Sequence, residues 1–351
     1  MNRLDNLFIS DEGLAQIEKR GFEIVFDQYE NMCKSDDIVI QEFINVLGRE
    51  EFYESLKFEF DVVYSLLYTQ NLSLLQDFFI WKYSVYYHRG FDCEFFFISF
   101  EYWQESFFKN LYKAHANALS AVYENLKKMH EDMAQKAKTM PYISVDPRYE
   151  KLIDELSLYL LHGQEKQGYA LVQKHLDNFE DIYQFIDLVI SPIMKRVGIL
   201  WQTAQISVAK EHLATATANA VVQKFIKKHK NQAKDLAVVT AVSSELHTFG
   251  VTLVADFLKQ LGFDVIDLGL ENSPQDIVKQ VQSVQPDLVV LSITLQSNIA
   301  AMQNTVRLLK ENKLFHGKVI VGGQGLYEPQ KVAIQGADFQ SRSLQELKEY
   351  L

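Results

Sequence analysis

DLAVVTAVSSELHTFG, residues 235–250, is the stretch that decides the fold. Its first half is a short β-branched apolar run, the pattern of a strand covered on both faces. Its second half is polar and offers Glu245, His247 and Gly250 before an amphipathic segment, VTLVADFLKQLG (251–262). Working outward, the same alternation recurs. FDVIDLG (263–269), PDLVVLSIT (286–294) and KVIVGG (318–323) are further strand-like runs. SPQDIVKQVQSV (273–284), NIAAMQNTVRLLKE (298–311), EPQKVAIQG (328–336) and the tail SLQELKEYL (343–351) carry helical spacing between and after them. Strands alternating with helices predict a parallel, doubly wound Rossmann-like sheet over 235–351.

Upstream the period is helical. Residues 148–230 divide into four amphipathic segments with short joins, which predicts a four-helix bundle. PYISVDP (141–147) separates this bundle from residues 1–140, a proline-free, aromatic-rich, all-helical stretch. The expected fold class is therefore α plus α/β in three parts: 1–140, 148–230 and 235–351. A net charge of −11 argues against a nucleic-acid surface, although IKKHKNQAK (226–234) is locally basic and fits a helix end and linker. Two cysteines, Cys33 and Cys93, suit a reducing cytoplasm better than a disulfide framework. The start, MNRLDNLFISDEGL, lacks a signal peptide, and charged residues interrupt the apolar stretch 78–100, so no membrane span is expected.

In open α/β sheets ligands bind beyond the carboxyl ends of the strands. SSELHTFG, Ser292-Ile293-Thr294 and the VGGQG that holds Gly322 and Gly323 all fall at such ends. Taken singly, each has an ordinary explanation as a loop histidine, a helix cap or a turn. Together they resemble the cobalamin-binding domain of methionine synthase and the base-off/His-on mutases, whose signature is Asp-x-His-x-x-Gly, Ser-x-Leu and Gly-Gly. Glu245 stands for the aspartate and Thr294 for the leucine. The resemblance implies that His247 is the lower axial ligand of cobalt and displaces the cofactor's dimethylbenzimidazole. Ser292 and Thr294 would then hydrogen-bond the nucleotide tail, with Gly250, Gly322 and Gly323 leaving room for it. The chemistry is sound: neutral imidazole ligates cobalt, and a carboxylate on the other ring nitrogen fixes the tautomer.

VGILWQTAQISVAKEHLATA (197–216) resembles the helical cap of CarH-type photoreceptors, which are cobalamin-dependent light sensors. Trp201, Val208, Glu211 and His212 match that motif, and the resemblance places Trp201 and Glu211 over the upper axial face, where adenosylcobalamin carries its adenosyl group. Ala204 replaces the motif's glycine. Gln202 replaces the histidine that ligates cobalt after photolysis; His212 is the substitute available on sequence grounds. In residues 1–140 the segment FFIWKYSVYYHRGFDCEFFFISFEYW (78–103) fits an aromatic helical core or interface. It also fits a flat-chromophore pocket, with His88 and Arg89 serving a tetrapyrrole, as in photocobilins, which combine a CarH-like unit with biliverdin. Cys93 is a covalent alternative, and His88, His115 and His130 are candidate haem ligands.

The expectation is a non-enzymatic, cytoplasmic cobalamin light sensor, without nucleic-acid or membrane partners, that signals through a light- or ligand-dependent homo-oligomer and a downstream protein. The competing expectation is a corrinoid methyl carrier serving a partner methyltransferase. The chain has no stretch left for the substrate barrel of a radical mutase.

Overall fold

A computed structural model describes residues 9–226, 235–242, 245, 247–327 and 331–351. The basic stretch read as a linker therefore lies outside the described residues from 227 to 234, as do Ser243, Ser244 and Leu246 of the histidine loop. The chain divides into two units, residues 1–140 with 296–300, and residues 141–295 with 301–351.

The described part of the first unit is helical: α1 (Asp11–Cys33), α2 (Ile38–Leu47), α3 (Arg49–Tyr68), α4 (Leu74–Tyr87), α5 (Glu94–Asn110), α6 (Lys113–Lys128) and α7 (His130–Ala137). The first two starts are set by local chemistry. Ser10 accepts the Gly13 N–H, and Asp37 accepts those of Val39 and Ile40, so donors that a helix cannot satisfy internally find partners. The aromatic richness is spent on packing. Trp103, Tyr83, Phe79, Phe96 and Phe100 are fully buried, and Tyr83 stacks on Phe96 at 4.2 Å between ring centres. Within this core Lys82 pairs with Glu59 at 2.5 Å and donates to the Ser55 carbonyl at 3.2 Å. The same unit holds the short turn Gln296–Asn298: Ser65 donates to the Ser297 carbonyl at 2.7 Å and accepts the Ala300 N–H at 3.3 Å.

The second unit begins with the bundle. α8 (Glu150–Leu161) and α9 (Glu165–His175) are followed by one long helix. It starts as α10 (Ile182–Phe185), widens to a π turn over Ile186–Ile190, and continues as α11 (Ser191–Gln202). Pro192 accounts for the widening, because it has no N–H to offer the preceding turn. α12 (Val208–Gln223) completes the bundle, capped by Ser207.

The sheet contains β1 (Leu236–Ala241), β2 (Asp264–Asp267), β3 (Leu288–Ser292), β4 (Lys318–Gly322) and β5 (Phe339–Ser341). All pairings are parallel, in the order β2-β1-β3-β4-β5. α13 (Thr248–Gln260), α14 (Pro274–Val284), α15 (Ile299–Glu311) and α16 (Leu344–Tyr350) connect or close it. The bundle and the sheet domain share one hydrophobic core. Tyr183 of α10 packs on Phe257 of α13, and Asp187 in the π turn accepts the N–H groups of Leu344 and Gln345 at the start of α16.

Two sequence expectations change. β5 was not foreseen, because three residues give no periodicity to read. The helix expected over 328–336 is absent from its described part, 331–336. There the backbone is tied to Gln340, whose amide accepts from Ile334 and donates to the Val332 carbonyl.

The buried Lys82–Glu59 pair gives a direct test. Replacing Glu59 by Gln leaves a buried ammonium uncompensated, at a cost of about 3–5 kcal/mol. Replacing both by Leu and Met costs much less, because no charge is left stranded. Urea unfolding of the full-length single and double variants checks this ordering.

Candidate functional site

Sheet register brings the site together. Ala241 pairs with Ser292, Ser292 with Gly322, and Gly322 with Ser341, so β1, β3, β4 and β5 end in one row. The chain order reverses between β1 and β3, the switch point at which α/β sheets open a crevice. The loops bearing His247, Thr294 and Gly323 leave from that row.

Glu245 joins two of these loops. Its side chain is 1% exposed. One carboxylate oxygen accepts from His247 Nδ1 at 2.5 Å and from the His247 backbone N–H at 3.1 Å. The other accepts the N–H groups of Thr294 at 2.6 Å and Leu295 at 3.2 Å. Burial pushes the Glu245 pKa up, but the bond from His247 and the backbone donors outweigh it and hold the group below the ordinary carboxylate value. For His247 the bond to Glu245 raises the pKa against desolvation, and the charge of Glu211 adds to the rise. An anionic partner at Nδ1 requires the proton there. The neutral ring therefore carries its lone pair on Nε2, on a side chain that is 45% exposed. This is the arrangement of an imidazole prepared to ligate a metal. His247 also begins α13, but its side chain makes no cap bond.

The other loop residues close around this clasp. Gly250 and Ser292 face each other: a Cβ on Gly250 would stand 3.7 Å from the Ser292 hydroxyl oxygen. Gly322 accepts the Ile293 N–H at 3.1 Å. Gly323 has φ +103°, and a Cβ there would stand 2.1 Å from the Ile293 carbonyl oxygen. Its smallness thus serves the contact between the β3 and β4 loops, where the sequence had suggested clearance for a cofactor tail. Thr294 serves Glu245 through its backbone N–H. Gly325 was missed by sequence reasoning. Its N–H binds the Ile293 carbonyl, and a Cβ would press on the Leu295 backbone; the signal was the G-x-G spacing after Gly323.

The bundle carries the other candidates. Trp201, in the last turn of α11, is half-buried; Val208 and His212 are exposed. Glu211 in α12 accepts the Thr215 hydroxyl at 2.9 Å, and its charge reaches His247. Gln202, where the CarH-type motif has histidine, is buried beside Thr203. Ala204 stands at φ +56°, which accounts for glycine at this position of the motif. Further along α12, Asn219 holds a buried side-chain oxygen without a hydrogen-bond partner among the described residues, a group the sequence did not single out.

The residues singled out in 1–140 are engaged locally. His88 Nδ1 lies 2.8 Å from the Ser84 carbonyl, and Arg89 donates to the Val85 carbonyl at 2.6 Å, so both close the last turn of α4. His115 bonds Gln16 and His130 bonds Tyr83. Burial, aided by the Asp92 charge, pushes the Cys93 thiol up to about 11, so it stays protonated at neutral pH.

Two substitutions at positive φ are expected to act in opposite directions. Gly323→Ala destabilises the second unit by about 2–4 kcal/mol, through the backbone clash and the unfavourable φ. Ala204→Gly stabilises it by about 0.5–1 kcal/mol, through relief of the same conformation. Thermal or urea unfolding of each variant reads both signs.

Comparison with known proteins adds to this geometry. Residues 236–343 match the family model described as B12 binding domain, and residues 152–224 match a second model with that description. A corrinoid protein of Desulfitobacterium hafniense is 27% identical over 182 residues, 49% of this chain and 83% of its own length. Dimethylamine corrinoid protein 2 of Methanosarcina acetivorans is 25% identical over 179 residues, 50% of this chain and 82% of its own. The solved Methanosarcina barkeri monomethylamine corrinoid protein aligns with a TM-score of 0.48 at 20% identity, over 57% of this chain and 97% of that one. These relatives are corrinoid proteins rather than CarH-type sensors. Among the described residues no helix is long and apolar enough to cross a membrane. The second unit carries a B12-binding domain at 236–343, preceded by a helical B12-binding domain at 152–224.

Proposed function

We propose that the protein holds cobalamin base-off on His247 and acts as a corrinoid carrier, presenting the upper face of the ring to a partner methyltransferase. The observation that carries this reading is the Glu245–His247 clasp, which leaves Nε2 as the free donor. Among the described residues no three His, Cys, Asp or Glu side chains group as a metal site. A single prepared imidazole suits a metal that arrives already held by its own macrocycle. Ser292, Thr294, Gly250, Gly322 and Gly323 would border the nucleotide tail, and Trp201, Val208, Glu211 and His212 would cover the upper face. The bound corrinoid would supply a cobalt centre that accepts and passes on a methyl group. The chain's own residues would fix the imidazole and shape the covering helix. The relatives named as dimethylamine corrinoid proteins support the carrier over the light sensor. The reading calls for a protein partner rather than a stand-alone enzyme.

Two features leave room for a second reading: Glu211, which the resemblance to the CarH-type cap puts on the upper side, and the aromatic-rich residues 1–140, which stand outside both matched models. That reading is an adenosylcobalamin light sensor with a light-dependent homo-oligomer. A biliverdin in residues 1–140 belongs to it, and would require His88 and Arg89 to leave the α4 carbonyls that they now hold.

The test is reconstitution with hydroxo-, methyl- and adenosylcobalamin. Bound cobalamin should show the spectrum of a base-off, His-ligated cobalt. His247→Ala should abolish the His-ligated spectrum, and Glu245→Gln should weaken binding about 10–100-fold. Retention of the base-off, His-ligated spectrum in His247→Ala sinks the assignment. Green light on the adenosyl form separates the two readings: a carrier keeps its elution volume in size-exclusion chromatography, whereas a change of oligomeric state supports the sensor.

A further inference from the structure

Ser65 stands on α3 among the buried core residues Val62, Val63, Leu66 and Leu67, and is itself fully buried. A serine inside a helix commonly turns its hydroxyl back to the carbonyl one turn earlier. Ser65 instead gives its one hydroxyl proton to the Ser297 carbonyl, at 2.7 Å. Its oxygen also accepts the Ala300 N–H at 3.3 Å. Ala300 lies in the first turn of α15, where a helix cannot satisfy its own N–H groups. One side chain of α3 therefore fixes the turn Gln296–Asn298 and caps the helix that follows it.

That turn begins directly after the two donors on which the histidine loop depends. Thr294 and Leu295 give their backbone N–H groups to one oxygen of Glu245, at 2.6 and 3.2 Å. The other oxygen holds Nδ1 of His247. Just upstream, the Ile293 N–H binds the Gly322 carbonyl, and the Ile293 carbonyl accepts the Gly325 N–H. Residues 293–300 are thus pinned at three successive points: by the β4 loop at Ile293, by Glu245 at Thr294 and Leu295, and by Ser65 at Ser297 and Ala300. Only Gln296 separates Leu295 from Ser297. Each residue has two soft torsions, so little slack lies between these anchors. A displacement of the turn is passed to the Leu295 N–H.

We infer that Ser65 is a positioning residue for the His247 imidazole: by holding the turn after β3, it keeps the Thr294 and Leu295 donors on Glu245, and through Glu245 it fixes the ring. Its effect on cobalt rests on the cobalamin reading above. Groups that orient a metal-ligating histidine govern the strength of ligation without touching the metal. Ser65 does so from a helix that stands outside both matched models. The helical first unit thereby supports the corrinoid site through the backbone of residues 294–300, and its loss would loosen the axial ligand.

The experiment compares Ser65→Ala with Ser106→Ala in the full-length protein. Ser106 is the control, a buried serine of the same unit whose hydroxyl donates to the Ile24 carbonyl at 2.7 Å, away from the turn. Hydrogen–deuterium exchange of the cofactor-free protein is read at the Thr294 and Leu295 amides. Ser65→Ala should speed exchange there about fivefold, the loss expected of one hydrogen bond of ordinary strength, and Ser106→Ala should leave it unchanged. Ser65→Cys, whose thiol is a weaker donor, should give a smaller rise and carries the comparison if the alanine variant does not fold. Hydroxocobalamin titration follows: half-development of the His-ligated spectrum should need about fivefold more cofactor in Ser65→Ala than in Ser106→Ala. Wild-type exchange at both amides in the Ser65 variants, or equal titrations of the two alanine variants, overturns the inference. A wild-type protein that never shows the His-ligated spectrum overturns the cobalamin reading, while the exchange rates still decide whether Ser65 positions the Glu245–His247 clasp.

Discussion

The second unit is organised around a buried carboxylate that accepts hydrogen bonds from two loops. Glu245 takes two from His247 and one each from Thr294 and Leu295. A buried anion is costly unless such donors surround it. The chain must therefore keep the β1 and β3 loops together for Glu245 to remain charged. The same requirement fixes the imidazole by its Nδ1 edge and puts the lone pair of the neutral ring on Nε2. Structure and ligand chemistry thus share one set of bonds.

The rest of the site follows from the sheet. Parallel pairing aligns the last residues of four strands, so loops distant in sequence depart from one edge. Gly323 then allows the β4 loop to lie on the Ile293 backbone. The bundle is fastened to this domain by a common core and by Asp187, which binds the start of α16. Burial raises the Asp187 pKa even against those N–H donors and the nearby Ser343 hydroxyl. Its position in a π turn follows from Pro192 five residues on. A feature that looks like a helix defect therefore provides the polar tie between the two parts of the unit.

Much of this was legible in the sequence, and the exceptions have physical causes. β1, β3 and β4 declared themselves because buried parallel strands are continuous apolar runs. Glu245 and His247 were readable because two ligand-type residues stood at a strand end in a fixed spacing. β5 was too short to carry a period. The amphipathic look of EPQKVAIQG came from Val332 and Ile334, which are buried in an irregular segment held by Gln340. The donors from Thr294 and Leu295 are backbone groups, which no side-chain pattern reveals. The glycines were found, but for Gly323 the tightest contact is with protein backbone, a fact that only the fold supplies. In residues 1–140 the aromatic density indicated a packed helical core or interface, with a chromophore pocket as the alternative. The rings are seen to pack on one another, with His88 and Arg89 closing their own helix.

The account's central claim is that His247 is the lower ligand of a base-off corrinoid. Electron paramagnetic resonance of the cob(II)alamin-loaded protein tests it most directly, with and without ¹⁵N-labelled histidine. Coordination by His247 predicts that the triplet splitting from one axial ¹⁴N becomes a doublet on labelling. A triplet that survives labelling would show that the cofactor's own benzimidazole still holds the cobalt, and would contradict the account.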